Sequence, residues 1–237
     1  MLPATTGYLE KTSCKILSKY DSISRMQTLT EVAIEKAKGG IFTRQEAACW
    51  INNSDERLNA LLKRAVGSHE VLRICRGLYC LDKRYLRTHI NALTLAQQLY
   101  GPSYISQESA LSYHGWIPEA VYAVTSTSLK RSRAFDTPLG LFSFTHIPQP
   151  KFYIGVSRIE TEGNRSFLMA DPLKALADYV YAHNCHWTSV APVLESLRVD
   201  EKSLAGLKSD AFDLLVNHYR AGSVQRFLAG LRKDLGL

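Results

Sequence analysis

From Ser24 to Lys38 the segment SRMQTLTEVAIEKAK brings apolar side chains back at Met26, Leu29, Val32 and Ala33, close to the helical period, and Gly39 and Gly40 follow where a C-cap would stand. The spacing predicts a first helix. In IFTRQEAACWI, Thr43 can cap a helix and Glu46 sits three residues on, as in a capping box. Ala47, Ala48 and Ile51 suit a short buried helix. Asn52 and Asn53 make a turn. Ser54 then opens a third helix, DERLNALLKRAVG, with Asp55 and Glu56 at the positive end of its dipole and Gly67 past its end. Leu58, Leu61, Leu62 and Ala65 share one side of it, while Asn59, Ala60, Lys63 and, at the flank, Arg57 and Arg64 look away.

VLRICRGLYCLDKRYLR alternates like a strand, breaks at Arg76 and Gly77, alternates again and ends in a basic cluster. A helix, a short helix, a turn, a helix with a cationic outer face and then a hairpin make up the order of a winged helix-turn-helix. A helix fits the major groove, where Arg, Lys and Asn can bond base edges, and a hairpin can reach the neighbouring backbone. Gly77 permits the turn that lets the tip approach DNA. The candidate DNA-binding residues are therefore Arg44, Arg57, Asn59, Lys63, Arg64, Arg73, Arg76, Gly77, Lys83 and Arg84. Arg73, Arg76, Lys83 and Arg84 would mostly neutralise phosphates, which adds affinity more than sequence choice. Glu56 could accept from a cytosine amino group, pair with a neighbour or serve the helix N-terminus, and the last is favoured. Winged helices also serve as protein-docking modules.

Beyond residue 84 the pattern changes. RYLRTHINALTLAQQLYG predicts a helix from about Leu86 to Tyr100 as a connector. A short helix begins near Ser106, and strands are expected around Val121 to Thr127, Arg131 to Asp136 and Leu139 to His146, with turn chemistry in Thr137-Pro138-Leu139-Gly140. KFYIGVSRIE and RSFLMA add two strands. DPLKALADYVYAH is a helix with Asp171 as N-cap and Pro172 at its first position, and the remainder is mostly helical. The expectation is an α+β chain: residues 1-84 an N-terminal extension and winged helix-turn-helix, residues 85-237 a mixed α+β domain.

Charge sharpens that division. Residues 1 to 100 hold 15 Lys or Arg against 9 Asp or Glu, a net of +6, whereas the remainder holds 14 against 13. A basic half joined to a near-neutral half points to one part that meets a polyanion and another with a different task. No apolar run approaches the roughly 20 residues of a membrane helix, and the N-terminus lacks a secretory signal. Five scattered cysteines fit reduced thiols. A cytoplasmic protein without membrane contact is expected.

Four stretches in order, RGLY, YISQESALSYHGWIPE, VTSTSLKRSRAFDTPLGLFSFTHI and LMADPLKALADYVY, resemble the AbiEi-type antitoxins of type IV toxin-antitoxin systems. The resemblance covers most of residues 40 to 182. It implies a DNA-binding N-terminal domain that represses its own operon through an operator, and a C-terminal domain that counters a nucleotidyltransferase-like toxin encoded next door, in systems associated with abortive phage infection. Binding to inverted repeats would need two copies. Two other readings stay open: an antitoxin that sequesters its toxin directly, and a stand-alone winged-helix regulator.

No enzymatic constellation stands out. Gly222-Ser223 lacks the acidic pair of a nucleotidyltransferase, Glu160 and Glu162 lack the lysine of a nuclease, and Asp210 with Asp213 suits a helix surface. His183, Cys185 and His186 in HNCHW lack zinc-ligand spacing, and His114 has no nucleophile beside it. Neither a metal nor a cofactor is expected. Lys130, Arg131 and Arg133 form a candidate secondary basic patch, with both arginines on one face of a strand; it could extend a DNA footprint, meet an acidic partner or be a solvated strand face.

Overall fold

The computed structural model describes residues 28–52, 54–86, 88–119, 121–161 and 165–237. The fold is mixed α+β with two sheets, one of three strands and one of six. The chain divides into two compact units. The first runs up to Arg73 and resumes over Tyr79–Leu86; the second takes Ile74–Leu78 and everything from Arg87.

The first unit starts with α1 (Leu29–Lys36), held by a capping box in which Thr28 Oγ1 accepts from Glu31 N and Glu31 accepts from Thr28 N at 2.9 Å. Met26 and the start of the expected helix lie outside the described residues. After a single 3-10 turn at Lys38–Gly40 comes a strand that periodicity did not predict, β1 (Ile41–Thr43). Then follow α2 (Arg44–Ile51), α3 (Asp55–Gly67), β2 (Val71–Cys75) and β3 (Leu78–Leu81), a hairpin whose tip, Ile74–Leu78, is the part grouped with the second unit. The sheet order is β1-β3-β2, so β3 is central, and all four of its residues are buried rather than alternating. The Thr43–Glu46 capping box forms in full, and each such cap contributes about 1 kcal/mol.

Leu29, Ala33, Phe42, Ala47, Leu58, Leu62, Ala65, Val71, Tyr79 and Leu81 form one core, in which Phe42 stacks on Tyr79 with centroids 5.8 Å apart. Gly67 is the last residue of α3 rather than the residue past it. His69 takes the left-handed conformation, at φ 55°, and Glu70 N donates back to Ala65 O to close the helix.

The second unit begins with α4 (Ala92–Leu99), shorter than the expected Leu86 to Tyr100 helix because Asn91 caps it by accepting from Leu93 N and Thr94 N. Next come β4 (Ser103–Ile105), also unforeseen, and α5 (Gln107–Tyr113). Five strands follow: β5 (Ala123–Ser128), β6 (Arg133–Thr137), β7 (Gly140–His146), β8 (Val156–Thr161) and β9 (Arg165–Ala170). Their order is β6-β7-β5-β4-β9-β8, with β4 parallel to β9 and β5 parallel to β7. Helices α6 (Pro172–Ala182), α7 (Ala191–Glu195), α8 (Glu201–Ala205), α9 (Ser209–Val216) and α10 (Gly222–Asp234) complete the chain. Asp171 precedes α6 as expected but makes no side-chain cap; its Oδ1 accepts from the Ser157 hydroxyl at 2.8 Å.

One buried carboxylate ties these elements together. Asp178 on α6 is fully buried, and six donors reach it. Oδ2 accepts from Tyr104 at 2.9 Å, Ser106 at 2.7 Å and Thr127 at 3.2 Å. Oδ1 accepts from Gln149 Nε2 at 3.1 Å, from Lys174 Nζ at 2.9 Å and from the Tyr219 hydroxyl. Lys174 spends its other protons on Gln149 Oε1 and the Tyr219 oxygen, both at 2.7 Å. A buried charge is tolerable only when paired and hydrogen-bonded, and this one is both. Burial holds the Lys174 ammonium below its usual range, partly offset by Asp178.

The same burial, together with the Asp178 charge, pushes the phenols of Tyr104 and Tyr219 well above their usual value. The folded state therefore keeps protons that an unfolded chain releases above about pH 10, and stability is lost as pH rises beyond that point. Lys174 acts in the opposite sense at lower pH, but its contribution stops changing near 10.4, where an unfolded lysine also deprotonates. Each tyrosine should then remove up to about 1.4 kcal/mol per pH unit. Denaturant titrations at pH 10.5 and 11.5 should show the loss, and Tyr219→Phe should remove part of the slope. Equal midpoints at the two pH values would contradict the assignment.

Candidate nucleic-acid interface

The amphipathic spacing of α3 sorts its side chains as the sequence predicts. Leu58, Leu62 and Ala65 are buried, while Arg57, Asn59, Ala60, Lys63 and Arg64 are exposed. Ser54 caps the helix by accepting from Arg57 N at 3.4 Å, and Asp55 and Glu56 lie in the first turn, where the dipole favours them. Among the described residues Arg57, Lys63 and Arg64 enter no ion pair, so their charges face solvent. Arg44 behaves differently. At the first position of α2 its Nη2 donates to Asp55 Oδ1 at 3.0 Å and to Asn59 Oδ1 at 3.3 Å, so a short bridge joins the starts of α2 and α3.

The hairpin turns at Arg76 and Gly77. Gly77 has φ 83°, a conformation that L side chains rarely adopt, and nothing lies within 4 Å of where a Cβ would stand. Arg73 and Arg76 are exposed. Past β3 the expected basic cluster divides. Lys83 is exposed, but Arg84 is committed to the fold: Nε donates to Asp82 Oδ1 at 2.7 Å and Nη2 to His69 O at 2.6 Å. It pins the exit of β3 to the junction between α3 and β2, and it holds the Asp82 carboxyl below its ordinary range. Cys80, buried on β3, has its thiol pushed up to about 11, by burial first and then by the Asp82 charge.

In the second unit β6 begins only at Arg133, so Arg131 precedes the strand and the two arginines do not share a strand face as expected. Lys130 and Arg133 lie near aromatic rings instead. Lys130 Nζ lies 5.2 Å from the Tyr100 centroid and Arg133 Cζ lies 4.6 Å from that of Phe135, while the Tyr100 hydroxyl donates to Arg131 O at 3.0 Å.

Three of the remaining polar candidates have structural partners. His114 Nε2 donates to Ala170 O at 3.1 Å, His183 Nε2 meets Glu108 Oε1 at 2.7 Å, and Asp213 Oδ1 accepts from Arg232 at 2.6 Å. Among the described residues no group of three or more His, Cys, Asp or Glu side chains could share a metal ion, and no helix is long and apolar enough to cross a membrane. The Lys174–Asp178 pair escaped sequence reasoning. Its signal was present: two opposite charges spaced i, i+4 among Leu173, Leu176, Ala177 and Val180 in a run otherwise suited to burial. No protein-family model matches this chain, and no curated protein does.

Proposed function

We propose that the first unit is a winged helix-turn-helix that binds double-stranded DNA, and that the protein is a regulator of its own operon. The observation that carries this reading is the outer face of α3, where Arg57, Lys63 and Arg64 stand exposed and, among the described residues, outside any ion pair, in the basic half of the chain. The element order supports it. A winged helix needs a short strand between its first two helices that pairs with the second strand of the hairpin, and here β1 lies between α1 and α2 and neighbours β3. The second unit then carries the antitoxin role, countering a nucleotidyltransferase-like toxin, as the resemblance to AbiEi-type antitoxins implies. The exposed Lys130, Arg131 and Arg133 support an acidic partner there.

The test is binding of the purified protein to its own upstream DNA and to scrambled DNA of equal length, across a salt series. Tighter binding to the upstream fragment, falling steeply as salt rises, is the expected result. Equal weak binding to both fragments would overturn the regulator reading.

A further inference from the structure

We propose that Arg44 and Asn59 act as one base-reading unit that selects guanine over adenine in the major groove. The proposal rests on the DNA-binding reading of the first unit and names what that surface recognises. Asn59 lies one turn after Asp55 on α3, so the two share a face, and Arg44 reaches both from the first residue of α2. A guanidinium has donors and no acceptor. The amide atom of Asn59 that faces Arg44 is therefore the oxygen, and the orientation of the amide is fixed by chemistry. Nδ2, with its two protons, is the other branch. Asp55 in turn holds the guanidinium in place, with an oxygen 3.0 Å from Nη2.

The outcome is an exposed unit rich in N–H donors whose one amide acceptor sits beside a cation. On the major-groove edge guanine offers two acceptors, N7 and O6, whereas adenine offers N7 and an amino donor. A free asparagine suits adenine, because its oxygen accepts from the amino group while its nitrogen donates to N7. With a guanidinium at that oxygen, adenine's amino group would approach a positive charge, while guanine O6 meets the donors of Asn59 Nδ2 and the guanidinium, whose Nη2 already engages Asp55 Oδ1. Arg44 thus converts the usual adenine reader into a guanine reader. Lys63 and Arg64, further along α3, supply affinity without choosing a base.

Selection from a random-sequence duplex library at low salt, followed by sequencing, tests this with the full chain and its Asn59→Ala and Arg44→Ala variants. Asn59 is exposed and Arg44 half-buried at the surface, so the variants should keep the fold, as thermal melting will verify. The wild-type chain should enrich sites with a guanine that is favoured over adenine by roughly five- to a hundredfold. Asn59→Ala should accept any base at that position, and Arg44→Ala should admit adenine there. A motif unchanged by Asn59→Ala overturns the proposal and leaves the DNA-binding reading standing. So does Arg44→Ala that weakens all sites evenly, or loses selection altogether, since a reader of one position leaves the rest of the site intact. No enriched motif with the wild-type chain overturns both.

Discussion

Asp178→Ala should cost the second unit about 3–5 kcal/mol, a large part of the 5–15 kcal/mol that holds a typical domain folded. The substitution strips a buried ammonium of its counter-charge and leaves the donors of Tyr104, Ser106, Thr127, Gln149 and Tyr219 without their acceptor. Asp178→Asn separates charge from shape. It keeps the volume, yet its NH2 group would point at three donors in either orientation, so only rotation of the hydroxyls could relieve the clash. Lys174→Met should be less damaging combined with Asp178→Asn than the two single losses would sum to, because the pair shares one interaction. Calorimetry or urea unfolding would read these differences. A loss below about 1 kcal/mol for Asp178→Ala, the usual scale of an exposed pair, would show that the site is hydrated and not the closed network described.

Removing the charges of α3 with Arg57→Ala, Lys63→Ala and Arg64→Ala together should weaken DNA binding by roughly several hundredfold near 0.1 M salt if all three meet phosphates, and lower the salt slope by about 2.7. Folding should be nearly unaffected, since each side chain is exposed and unpaired with any acid among the described residues. Arg84→Ala should do the reverse. It loses the bonds to Asp82 and His69 O, so the cost falls on the stability of the first unit more than on the salt slope. Fluorescence anisotropy across a salt series, paired with melting curves, separates the two classes. An unchanged slope in the triple variant would overturn the proposed assignment of α3 to DNA binding.

Much of the first unit could be read from local chemistry, because its signals are local. Thr43 and Glu46 lie within one turn, and the stripe from Leu58 to Ala65 lies on one helix. What the pattern missed depends on partners distant in sequence. β1 and β4 have three residues each, too few to establish a period, and become strands only through neighbours: β3 for the one, β5 and β9 for the other. Leu86 reads as the start of a long helix because it is apolar. It instead packs against the core of the first unit, and Asn91 starts the helix five residues later.

The candidate interface was legible in type but not in commitment. Spacing exposes Arg44 and Arg84 alike, yet it cannot tell that an aspartate eleven residues on engages the first and a backbone carbonyl fifteen residues back engages the second. Asp178 was least legible of all, since its ligands come from residues 104 to 219 and no stretch the length of one of these helices or strands holds more than two of them.

That span has a bearing on how the chain is born. Everything in the first unit precedes residue 87, and its helices pack on near neighbours, so it can close while the ribosome is still making the rest. The second unit has no such freedom. Tyr104 leaves the exit tunnel long before Tyr219, and until the last tyrosine arrives the lysine and aspartate of α6 share Gln149 but lack their second common ligand. A nascent chain therefore carries a finished first unit ahead of an open second one, and the order of synthesis sets the order in which the two become able to act.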